Sequence, residues 1–169
     1  RSMKILLTGS TGGIGLAIKE RLKDYNITCV PHADIETDEE FDWMICAHGI
    51  INEGNAVETF EVNVLSNIRL VQKIRANNII LIASTAGLKG NSGYPIYSAS
   101  KAALITYGKS IPNCYIICPG ATDTPGWRKL RITDVVPQSP DIVAVAIELI
   151  MSGQYASGDI IIVKDGVIT

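Results

Sequence analysis

The sequence predicts an α/β fold: a doubly wound parallel sheet of about six strands, with one βα unit missing. Three observations carry this. Short apolar runs alternate along the chain with segments of helical periodicity. The runs are apolar throughout rather than alternating, as in strands covered on both faces. A glycine-rich turn, Gly9-Ser-Thr-Gly-Gly-Ile-Gly15, joins the first run to the first helical segment.

The chain of 169 residues is long enough for one domain with a sizeable core. Its 15 basic and 17 acidic residues nearly balance, so it carries no electrostatic footprint for nucleic acid or an anionic membrane. No apolar run is long enough to span a bilayer. Arg1-Ser2 ahead of Met3 reads as a cloning remnant with no signal peptide after it, leaving residues 3–169 as a single domain. Cys29, Cys46, Cys114 and Cys118 form no C-x-x-C pair. They read as buried reduced thiols of a cytoplasmic protein, with no metal site.

Taken in order, Lys4–Thr8 is a buried strand and the glycine-rich turn follows at once. Ile14, Ala17, Ile18 and Leu22 then recur at helical spacing, with Lys19, Glu20, Arg21 and Lys23 on the other face. Strand, glycine turn and helix form the context of a Rossmann-type dinucleotide site. The glycines permit close backbone approach, and the helix N-terminus meets the pyrophosphate. Gly9, Ser10, Thr11, Gly13, Ile14 and Gly15 are the candidate residues. The spacing fits two glycine motifs, T-G-x-x-x-G-x-G and T-G-x-x-G-x-x-G. A P-loop is excluded, because no Lys-Ser/Thr pair follows. Ile27–Val30 is the second strand. Its end faces the adenosine ribose in such a fold, which places His32 and Asp34 there without deciding between NAD and NADP.

Only about a dozen residues separate Val30 from the next strand, Trp43–Ala47. That is too short for a crossover helix and another strand, so a unit is missing here. Phe60, Val64, Ile68 and Val71 form an apolar stripe that predicts a helix over 56–76. By spacing alone, Asn63 on that helix is an idle polar residue. Asn77-Asn78 leads into the apolar run 79–83, which ends at Ser84. After Ser110 the strand Cys114–Cys118 runs to Pro119-Gly120. Trp127 to Thr133 is a mixed segment, read as a lid over the cofactor or as a solvated face. Ser139-Pro140-Asp141 opens a helix that is apolar nearly all round and ends at Gly153. Asp159–Lys164 is the last strand, and Asp165-Gly166 turns out to the C-terminus.

The stretch Ser84 to Lys101 organises the rest. Tyr97 and Lys101 are four residues apart, so on a helix they share one face, one turn apart. An ammonium beside a phenol favours its ionisation, which would make Tyr97 a general acid/base. Thr8, Gly49, Ser84 and Pro119 all fall at carboxyl ends of strands, where sites form in such sheets.

These motifs resemble the short-chain dehydrogenase/reductase family over nearly the whole chain, in its compact single-domain branch of the 3-oxoacyl-reductase type. The carrying residues are Thr8-Gly-x-x-x-Gly-x-Gly15, the segment Ser84–Ala103 and Pro119-Gly120-Ala-Thr-Asp-Thr124. The resemblance implies that Tyr97 exchanges a proton with the substrate oxygen and Ser84 binds that oxygen. Lys101 would hold the nicotinamide ribose, and Asn63 would complete a water-linked proton relay. Asp34-Ile35 would lie near the adenine. Ala47, Gly49, Pro119, Gly120, Thr122 and Thr124 would line the cofactor with the glycine-rich loop. The family's N-N-A-G turn is replaced by Cys46-Ala47-His48-Gly49, and its D-G-G by Asp165-Gly166-Val167. The implied activity is NAD(P)-dependent hydride transfer to or from a small carbonyl or alcohol substrate. The implied assembly is a dimer or tetramer. The alternatives are a non-catalytic NAD(P)-binding sensor module and an epimerase-type enzyme with tightly held cofactor.

Overall fold

The computed structural model describes residues 2–169; Arg1, half of the expected remnant, lies outside the described residues. Five strands form as the apolar runs predict: β1 Lys4–Thr8, β2 Asn26–Val30, β3 Glu40–Cys46, β4 Arg75–Ile82 and β5 Cys114–Pro119. β6, Ile160–Lys164, is the last parallel strand. A short β7, Val167–Ile168, turns back antiparallel on it. The helices are α1 Gly13–Arg21, α2 Ala56–Phe60, α3 Ser66–Lys73, α4 Ala86–Lys89, α5 Pro95–Lys109, α6 Pro125–Arg128 and α7 Asp141–Met151.

The sheet order is β2-β1-β3-β4-β5-β6-β7. The chain order reverses between β1 and β3, which opens a crevice at their carboxyl ends. β2 is the edge strand, with no strand beyond it among the described residues, in accord with the short connection after Val30. Ala33 and Ile35 of that connection pack directly onto the core, where a further βα unit would otherwise run.

Successive strand residues point to opposite faces, and both faces are covered. Ile5, Leu7, Ile45, Ile80 and Ile117 pack under α1 and α7, against Ile18, Leu22, Val143 and Ile147. Leu6, Met44, Leu81 and Ile116 pack under α3 and α5, against Leu70, Ile74, Leu104 and Ile105.

Three local expectations are corrected. The helix expected over 56–76 is interrupted by a π-helical turn, Glu61–Leu65, and ends at Ile74 in extended conformation (ψ 133°). Arg75 and Ala76 instead pair with Glu40 and Phe41 of β3, so ladder bonds override local helix preference. The extra residue in the wide turn also rotates the helix. Thr59, Asn63, Asn67 and Leu70 face inward beside Val64, while Phe60, Ile68 and Val71 of the expected stripe are only partly buried. Finally, Asp165 (φ 52°) and Gly166 (φ 73°) form a two-residue reversal. Asp-Gly suits that mirror-image hairpin turn, so the chain folds back instead of leaving the sheet.

Leu81→Ala removes a fully buried side chain near the carboxyl end of β4. It should cost about 2–5 kcal/mol, read as a lower urea midpoint with an unchanged slope. Val57→Ala, at a residue 81% exposed, should change stability by less than about 0.5 kcal/mol.

Candidate active site

The crevice begins where β1 and β3 end. Gly9 sits at φ 66°, and a Cβ there would lie 2.6 Å from the Ala47 carbonyl carbon and the His48 nitrogen. The close approach of the two strand ends therefore requires glycine. A Cβ on Gly15 would lie 1.8 Å from the Gly9 carbonyl oxygen, so Gly15 lets α1 start against the turn. A Cβ on Gly13 would lie 2.5 Å from the Thr124 methyl, so the loop after β5 packs on the glycine-rich turn. Among the described residues no side chain caps α1 at Gly12, and no acidic residue lies in the first turn. The first amides of a nine-residue helix are thus left for an external acceptor. These features fit a pyrophosphate.

Ser84 follows β4, and its hydroxyl accepts the Ala86 N–H at 3.1 Å. Tyr97 and Lys101 stand one turn apart on α5 as the spacing predicts, with the Lys101 Nζ 5.6 Å from the Tyr97 ring centroid. Lys101 is 5% exposed and donates to the Ile82 carbonyl at 3.2 Å. The electrostatics differ from expectation. Burial raises the Tyr97 phenol above its usual value, against a lowering hydrogen bond with Ser84. Burial also pushes the Lys101 amine down to about 8. The ammonium lies over the ring face and is itself desolvated, so its pull does not prevail at the phenol. Cys118, fully buried, faces the same groups; burial pushes its thiol up to about 11, with the Ser84 backbone and Lys101 opposing.

Asn63 is 0% exposed, and the π-helical turn is what aims it inward. Its Oδ1 accepts the Ile50 N–H at 2.8 Å. Its Nδ2 donates to the Ile50 carbonyl at 2.9 Å and to the Ser100 hydroxyl at 3.0 Å. A Cβ on Gly49 would meet Asn63 Oδ1 and Lys101 Nζ, each at 3.2 Å, so Gly49 separates the two by a gap of about one atom. The structure thus brings Asn63, Ser84, Tyr97 and Lys101 together.

Other expected residues stand apart. His32 and Asp34 are exposed after β2. Asp34 lines a cavity of about 310 Å³ with Ile35, Ser66 and Leu70. Thr122 is buried; its hydroxyl donates to the Gly120 carbonyl and accepts from Gln138, so it serves its own loop. Thr124 caps α6 through the Trp127 N–H at 3.1 Å. Pro119 and Gly120 tie the end of β5 to Thr85 and to Val163 of β6.

Two residues were missed from the sequence. Glu53 lies in the loop before α2, and its carboxylate accepts the Ile96 N–H at 2.9 Å and the Tyr97 N–H at 2.8 Å. It caps α5 from 44 residues away, and no local pattern signals it. A carboxylate in such a place is worth up to about 2 kcal/mol. His48 bonds Thr8 at 2.7 Å through Nδ1 and Ser66 at 2.8 Å through Nε2, and so links β1 to α3. A signal was present: His48 occupies a turn where the resembled family has no titratable group.

His48 is 8% exposed, and burial holds its imidazole down to about 4, with Lys101 and His32 adding in the same direction. The unfolded chain takes up this proton near the ordinary histidine value of 6.5, before the folded chain does. The stability that neutral His48 contributes is therefore complete above that pH and lost as pH falls towards 4. In urea titrations, wild type should lose roughly 3 kcal/mol more than His48→Gln between pH 7.5 and 4. Equal losses would remove this role.

Comparison with known proteins bears on the same region. The short chain dehydrogenase family model matches residues 40–134. Carbonyl reductase family member 4 of Xenopus tropicalis is 28% identical over 127 residues, covering 66% of this chain and 53% of that protein. This chain spans about half the length of the curated relatives it matches. A short chain dehydrogenase family protein from Francisella tularensis superposes with a TM-score of 0.85 at 18% identity, over 98% of both chains. The 3-alpha-hydroxysteroid dehydrogenase of Pseudomonas sp. B-0831, complexed with NADH, superposes with a TM-score of 0.79 at 18% identity, over 96% of both chains. On the family match, which covers more than half of its residues, this chain belongs to the short-chain dehydrogenase family.

Proposed function

We propose that this protein is an NAD(P)-dependent oxidoreductase that interconverts a carbonyl and an alcohol, with Tyr97 as the acid/base. One observation carries the reading: Ser84, Tyr97 and Lys101 converge at strand ends beside an uncapped helix N-terminus and its glycine-rich turn. The structural relative bound to NADH supports a nicotinamide cofactor. In that reading the amides at Gly13–Gly15 hold the pyrophosphate and Lys101 holds the nicotinamide ribose. The bound cofactor supplies or accepts the hydride.

The protein's own groups handle the proton. The Ser84 hydroxyl donates a hydrogen bond to the substrate oxygen and polarises it. Tyr97, kept protonated by burial, gives its proton to that oxygen as the carbonyl becomes an alcohol. The resulting phenolate is stabilised by the Lys101 ammonium, whose proton near pH 8 is held loosely enough to be passed on. Oxidation runs the same transfers in reverse.

Tyr97→Phe keeps the ring and removes the proton. It should lower turnover by at least about a thousandfold while cofactor affinity stays within about twofold. Turnover that survives would remove Tyr97 from the chemistry. Separate titrations with NADH and NADPH should raise the unfolding midpoint for at least one of them, which also assigns the preference left open at His32 and Asp34. Binding without turnover on any carbonyl would favour the sensor reading instead.

A further inference from the structure

Helix α5 begins at Pro95, which has no N–H, so Ile96 and Tyr97 present its first orphan donors. Tyr94, at the N-cap, makes no side-chain capping bond among the described residues. Both donors are taken by one carboxylate, Glu53 Oε1 and Oε2. The opposite end of the Tyr97 peptide is held as well, since the Ser100 hydroxyl donates to the Tyr97 carbonyl at 2.7 Å. Both holds trace back to Asn63. It binds Ser100 directly, and it binds both backbone groups of Ile50, which opens the loop that carries Glu53. Asn52 anchors that loop on α2 through Thr59 and Glu58.

We propose that Glu53 is a positioning residue for Tyr97: its two-oxygen grip on the first turn of α5 sets where the phenol stands relative to Ser84. The catalytic consequence rests on the acid/base reading of Tyr97, but the positioning itself does not. The pull is local. Tyr97 is the third residue of the helix, so a shift of that turn moves its side chain with no lever to dilute it. The groups facing the phenol are Ser84, Cys118 and Lys101, and none of them belongs to the first turn.

The test uses the full chain carrying a ring-fluorinated tyrosine, whose more acidic phenol titrates in a milder range, with Tyr97→Phe assigning the resonance. Glu53→Asp keeps the charge but shortens the reach. Its Tyr97 titration, followed by fluorine NMR without substrate or cofactor, should move up by about half a unit or more as the Ser84 bond is lost, with the other tyrosines unmoved. A lower melting temperature with an unmoved Tyr97 titration would reduce Glu53 to a helix cap and overturn the proposal. Glu53→Gln, which keeps the length and one acceptor, guards against a variant that fails to fold. Its Tyr97 amide should exchange at least about tenfold faster while Leu104 further along α5 stays protected; unchanged exchange would also overturn it. Once a substrate is found, Glu53→Gln should lower kcat about tenfold with KM within about twofold. Turnover by Tyr97→Phe would sink the acid/base reading separately, leaving the titration result standing.

Discussion

The structure around the crevice depends on one buried carboxamide. Asn63 satisfies the N–H and the carbonyl of Ile50 together and still reaches Ser100 on α5. Leaving those backbone groups buried and unpaired would cost about 1–3 kcal/mol each. The loop after β3, the helix beneath it and the helix carrying Tyr97 therefore share a single hinge point. The π-helical turn is the local distortion that makes this possible, because a regular helix would aim position 63 elsewhere. Asn67, one turn on, continues the polar line by donating to the Asn63 carbonyl at 2.9 Å, while its own buried Oδ1 has no hydrogen-bond partner among the described residues.

The second constraint is the meeting of the β1 and β3 ends. Three glycines there are dictated by contact with the chain itself: Gly9 with Ala47 and His48, Gly15 with Gly9, Gly13 with Thr124. The same contacts leave the first amides of α1 uncovered by side chains. Close packing and an anion-ready helix end are thus one feature. The turn that replaces the family's asparagines is not left empty. His48 takes up bonds to Thr8 and Ser66, and its burial as a neutral ring avoids placing a second positive charge beside Lys101.

Legibility followed interaction range. The strand runs, the glycine turn and the Tyr97–Lys101 pair are local patterns whose geometry follows from a period of 2 or 3.6 residues. The missing βα unit was readable from a chain length alone. Asn63 was not readable from spacing, because the stripe of Phe60, Val64 and Ile68 assumes a regular helix and the π-helical turn breaks that assumption. The helix end at Ile74 was displaced by strand pairing with β3, which no window of sequence contains. Glu53 was invisible because a carboxylate in a loop gives no sign of the helix it will cap.

The sequence by itself determined the fold class, the strand count to within one short hairpin, the glycine turn and the helical face shared by Tyr97 and Lys101. These are short-range properties, and burial on both faces of the sheet leaves them few alternatives. Tertiary structure alone decided the electrostatics. Desolvation raised the Tyr97 phenol and lowered the Lys101 amine, reversing what their spacing suggests. It also decided the framing of the site by Asn63, His48 and Glu53, whose partners lie 13 to 44 residues away along the chain. A charge's effect depends on what has displaced the water around it, and that is settled only when distant segments pack.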